Sequence, residues 1–97
     1  VAAVVRTTLA LQPDVVVLGG DYSAAEERYI GPCFEVLTAL KAPLGVYGVL
    51  GNHDYWHGAA ASHDGFRASR IMELTNAGVW LERGSHRVRL AGVDDLW

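Results

Sequence analysis

Two stretches of the same design constrain this chain most. Val15-Val16-Val17-Leu18 is closed by Gly19-Gly20-Asp21, and Leu44 to Leu50 is closed by Gly51-Asn52-His53-Asp54. Each is a short, largely uninterrupted apolar run, the pattern of a strand buried on both faces of a parallel sheet. Between them Cys33, Phe34, Val36, Leu37 and Leu40 form an apolar helical stripe. Gly31-Pro32 opens that helix, because proline suits the first helical position, and Ala42-Pro43 stops it. Strand, helix, strand implies a parallel pair with a right-handed crossover. In a parallel pair both polar breaks arrive at the same end of the sheet, where open α/β sheets bind their ligands.

The flanking segments fit around this unit. Val1, Val4, Val5 and Leu9 repeat with helical spacing until Gln12-Pro13-Asp14. Tyr22 to Tyr29 is polar and small, a loop or a short helical turn. His57 to Ser62 reads as a flexible stretch of Gly, Ala and Ser. A third helix is expected from about Asp64 to Ala77, with Phe66, Ile71 and Leu74 inward and Gly78 as C-cap. Val79 to Leu81 reads as a short strand and Glu82-Arg83-Gly84-Ser85 as a turn. His86 to Val93 alternates, with Arg87 and Arg89 on one face and Val88 and Leu90 on the other. No internal repeat or low-complexity tract is present. The result is one α/β domain.

Composition narrows the function classes. With 51% hydrophobic and 20% charged residues among 97, this is a globular chain. Its net charge of -3 argues against a nucleic-acid scaffold or a general membrane-surface binder, whose affinity rests on clustered Lys and Arg. No apolar run approaches the length of a membrane helix. The single cysteine, Cys33, forms no internal disulfide and reads as a small buried hydrophobe. Val1 already lies inside a helical pattern, so the chain is expected to be an internal piece of a longer protein. Cellular location is left open.

Asp21 and Asn52 are about thirty positions apart, yet each follows the carboxyl end of a strand. Carboxylate, amide oxygen and imidazole suit hard or borderline divalent metals and metal-assisted hydrolysis. Each residue also has a plain alternative. Asp21 after a glycine is a common turn or cap residue, Asn52 tolerates a left-handed turn, and His53-Asp54 is an acceptable solvated loop. Tyr55 and Trp56 flank the motif as packing or substrate-contacting aromatics. His57, His63 and His86 read as surface histidines. Asp94 and Asp95 follow a strand, either reaching toward the site for acid–base work or capping the next segment.

Gly20-Asp21 followed by Gly51-Asn52-His53-Asp54 resembles the second and third signature blocks of the calcineurin-like metallophosphoesterases. The strand wording "PDVVVLGGDY" and "GVYGVLGNHDYW", and the closing "RVRLAGVDDLW", are similar to a bacterial phosphodiesterase-like branch. The resemblance implies the amino-terminal half of a layered α/β/β/α sandwich with a mixed sheet. Residues 1–97 would be a partial domain lacking the family's first D-x-H block and its later histidine blocks. It implies two divalent metal ions, Mn, Fe or Zn, and a bridging hydroxide that attacks a phosphodiester or pyrophosphate substrate. By position, Asp21 would bridge the metals and Asn52 would bind the second. His53 would face the phosphate, and Asp54 would orient that imidazole. Ala24 stands where the family's second block usually ends in Asp or Asn. The fragment alone is expected to be inactive. A non-catalytic scaffold of the same fold is the alternative; an ordinary nucleotide-binding domain lacks its phosphate-cradling glycine motif here.

Overall fold

The computed structural model describes residues 2–20, 22 and 30–94, with residues 30 and 52–59 described in their backbone only. The elements run α1 (Ala2–Ala10), β1 (Val16–Leu18), α2 (Ile30–Leu37), β2 (Val46–Gly48), α3 (Asn52–Ala68), β3 (Met72–Glu73), β4 (Ala77–Arg83) and β5 (His86–Gly92). α1 closes where Gln12 takes a left-handed conformation, φ 49°, just before Pro13. α2 carries Pro32 in its first turn, where no intrahelical N–H partner is lost.

β1, β2 and β3 form a parallel sheet in that order. β4 and β5 form a separate antiparallel hairpin. Parallel and antiparallel pairing in one α/β domain matches the amino-terminal part of the sandwich expected from sequence. Helices α2 and α3 connect successive strands and pack against each other, so both crossovers lie on one face of the sheet. That face holds the core. Val16 and Val46 meet Phe34, Leu37 and Leu40 of the α2 region and Phe66 of α3, with Ile71 beside them. Tyr22, Phe34 and Phe66 stack at its centre, with ring centroids 4.9 to 5.4 Å apart.

Several expectations are corrected. The third helix begins at Asn52, not near Asp64, and ends at Ala68. The stretch His57 to Ser62 is therefore helical. Its three consecutive alanines, the best helix formers, outweigh one glycine. The helix stops where the Ser69 hydroxyl bonds Phe66 O and accepts from the Ile71 N–H. Ile71 and Leu74 are inward as expected, but they flank strand β3; their three-residue spacing imitates a helical face. Gly78 lies inside β4 and caps nothing. The strand-like run at Val79 to Leu81 extends to Ala77–Arg83, and the turn shrinks to Gly84-Ser85, with Gly84 at φ 59°.

β1 is not buried on both faces. Val17, Tyr47 and Met72 align across the sheet on the side away from the helices, and Val17 is 55% exposed. Among the described residues that side is covered only in part. The hairpin touches this open side at its base, where Gly92 lies against Leu74 O and the Val49 side chain. Its far end is tied back by Arg83, which reaches Asp14 at 2.7 Å in the loop before β1.

Candidate functional site

Parallel pairing sets β1 and β2 in the register Val16 to Val46 and Leu18 to Gly48. The loops that follow therefore leave the sheet side by side. They touch. Gly20 has φ +110° and lies so close to the other loop that a Cβ there would sit 2.2 Å from Gly51 N and 2.6 Å from Gly51 Cα. Gly20 is needed for this approach twice over, for its positive φ and for the absence of a side chain at the contact.

The ladder continues past the strands through the Val49 N–H to Leu18 O bond, 3.1 Å. The Tyr22 hydroxyl donates to Val49 O at 2.7 Å and lies 3.4 Å from Leu18 O. A glycine at position 48 makes room for it. A Cβ there would meet the Tyr22 oxygen and the Phe66 ring, each 2.8 Å away. Tyr22, read from sequence as part of a loop, is thus a buried component of the corner. An isolated glycine inside a buried strand marks close approach by another group, and Gly48 was that signal.

The predicted site residues divide as follows. Asp21, between Gly20 and Tyr22, lies outside the described residues, as do Ala24 and Asp95. Asn52, His53 and Asp54 form the first turn of α3, and only their backbone is described. The motif therefore opens a 17-residue helix rather than a polar loop. A helix start presents free N–H groups and positive dipole character, which favours an anion such as a phosphate. Tyr55, Trp56 and His57 follow on the same helix without described side chains.

Two other histidines are placed. His63 is not in a loop: it lies on α3, half-buried, with Nδ1 2.7 Å from Glu73 Oε1 at the end of β3. His86 is exposed at the start of β5. Asp94 follows β5, and its N–H donates to Asn76 Oδ1 at 3.1 Å; Asn76 is itself left-handed, φ 51°. Arg87 and Arg89 lie on the wet hairpin face, stacked on Trp80 with guanidinium carbons 4.1 and 5.2 Å from its ring centroid. Cys33 is partly buried against the core, as expected. A hollow of about 460 Å³ adjoins Gly19 and Gly20 between α1, β1 and α2. Its described lining includes Val4, Leu18, Cys33 and Leu37 and is largely apolar. Among the described residues no three His, Cys, Asp or Glu side chains cluster as a metal site. No helix among them is long and apolar enough to cross a membrane.

Two glycine-linked loops meet at the carboxyl end of a parallel sheet, and one of them opens a helix with Asn-His-Asp. The chain belongs to the calcineurin-like phosphoesterase family, whose model matches residues 1–93. It is similar to a Caenorhabditis elegans protein named as a metallophosphoesterase, 35% identical over the whole chain and 20% of that protein. It resembles a transmembrane protein with metallophosphoesterase domain from Bos taurus, 33% identical over 95% of the chain and 22% of the relative. An uncharacterised metallophosphoesterase of Aquifex aeolicus is 32% identical over 87% of the chain and 31% of the relative. The relatives are thus animal as well as bacterial. The chain spans about a fifth to a third of their length. No solved structure matches it.

Proposed function

We propose that this chain supplies one half of the active site of a metal-dependent phosphoesterase that hydrolyses a phosphodiester or pyrophosphate bond. The observation that carries the reading is the contact between Gly20 and Gly51. It sets the backbone at Gly20 against that at Gly51, which supports a reading in which the residues that follow each glycine serve one site.

The donor set fits divalent metals. Asp21 offers a carboxylate for sharing between two ions, and Asn52 a neutral oxygen for one of them. Two such ions, Mn, Fe or Zn, would neutralise phosphate charge and make water a better nucleophile at neutral pH. The protein's own groups do the remainder. The first turn of α3 points its free N–H groups and its dipole toward the anionic substrate. His53 holds the proton that a leaving oxygen requires, and Asp54 keeps the imidazole in the useful tautomer. The glycines leave space for the phosphoryl group beside the backbone.

The test uses the full-length protein. It is stripped of metal, Mn²⁺ is restored, and hydrolysis of bis-p-nitrophenyl phosphate is followed. Metal-restored activity that falls at least about 100-fold in Asn52→Ala is the expected outcome, in line with the cost of losing a group that stabilises transition-state charge. A folded protein that binds no metal and cleaves neither diesters nor monoesters would overturn the proposal in favour of a non-catalytic scaffold.

A further inference from the structure

We infer that Tyr22 is a positioning residue: its hydroxyl sets the distance between the two motif loops and so between Asp21 and Asn52. The inference rests on the phosphoesterase reading of those loops. Tyr22 follows Asp21 directly and is only 7% exposed. Its ring is held from two sides, 4.9 Å from the centroid of Phe34 and 5.4 Å edge-on to Phe66. From that fixed ring the hydroxyl reaches the carbonyls of Leu18, directly before Gly19, and Val49, two residues before Gly51, at 3.4 and 2.7 Å.

The geometry separates the hydroxyl from the ring. A phenylalanine would fill the same volume and keep the aromatic cluster. What only tyrosine adds is a bond to Val49 O, 27 positions away in sequence, at the base of the Asn52 loop. The space for that oxygen exists because residue 48 lacks a side chain. One side chain therefore fixes the Asp21 loop, through the adjoining backbone, to the strand end that carries Asn52. A site that takes ligands from both loops depends on that spacing. Groups that orient ligands without touching the metal commonly change affinity by about 10- to 100-fold.

The experiment compares full-length wild type, Tyr22→Phe and Phe34→Leu. Each is stripped of metal and titrated with Mn²⁺ by calorimetry and electron paramagnetic resonance, with thermal melts alongside. Wild type should bind two Mn²⁺ with a spin-coupled signal. Tyr22→Phe should bind at least about tenfold more weakly and lose the coupling. Phe34→Leu loosens the same aromatic cluster but leaves the hydroxyl bridge, and should keep wild-type affinity despite a lower melting temperature. Unchanged affinity and coupling in Tyr22→Phe overturn the inference and leave the phosphoesterase reading standing. Equal loss in both variants also overturns it, by assigning the effect to core stability. A wild type that binds no Mn²⁺ removes the phosphoesterase reading and this inference with it.

Discussion

At the scale of single residues, the corner depends on backbone that only glycine supplies. Gly20 combines a left-handed φ with near-contact to Gly51, so any side chain is penalised twice. Gly20→Ala is expected to cost about 1–3 kcal/mol from the backbone conformation alone. The methyl group must also push the two loops apart. Urea unfolding measures the first effect, and a parallel fall in Mn²⁺ affinity measures the second. The candidate residues were legible here for a simple reason: Asp21 and Asn52 each follow a glycine that ends an apolar run. The part of the corner that escaped a reading by segments was Tyr22. Its neighbours in sequence are small and polar, whereas its partners, Phe34, Phe66 and Val49, are all remote.

Among elements, the packing of α2 on α3 is governed by small residues. Ser62, Gly65 and Phe66 lie along the inward side of α3, and Ser62 is fully buried. A Cβ on Gly65 would sit 2.3 Å from the Phe34 ring. That ring is packed against Tyr22 and Phe66, so shifting it disturbs the aromatic cluster. Gly65→Ala gains about 1 kcal/mol of helix propensity. It forces overpacking that costs about 1–3 kcal/mol. A net loss of about 1–2 kcal/mol is expected in chemical denaturation; a stabilised variant would show that the helices can separate freely. The β1–α2–β2 unit and the hairpin were readable from apolar runs, breakers and alternation. α3 was misplaced because small residues, His57 to Ser62, carry no hydrophobic period.

At the scale of the whole molecule, the hairpin is held to the parallel sheet at both ends. Its base rests on Leu74 and Val49, and its far end on the pair formed by Arg83 and Asp14. Arg83 holds the Asp14 carboxyl below its ordinary value near 3.8, by hydrogen bonding first and charge second. A carboxylate depressed in the folded state contributes above its unfolded value and loses that contribution as pH falls through the folded one. Both groups are exposed, so the pair is screened and its effect is local. Amide exchange at residues 82–86 should therefore stay constant from neutral pH to about 4 and quicken below it, after correction for intrinsic exchange. Arg83→Gln should quicken it at neutral pH and remove the acid step. Exchange that is identical in both proteins at every pH would mean the pair restrains nothing.

The contact between Gly20 and Gly51 also bears on the order in which the protein assembles. It closes a loop of about thirty residues, the span of one strand–helix–strand unit, and loop-closure entropy grows only slowly with such lengths. Both motifs therefore meet through a parallel pairing of adjacent strands, β1 with β2, across a single helical crossover. Parallel pairing is slow when its partners are distant, and here they are near. The half-site should form together with the β1–α2–β2 unit, without waiting for the hairpin to dock. Destabilising substitutions at this corner should then slow folding, while those in the β4–β5 hairpin should mainly hasten unfolding.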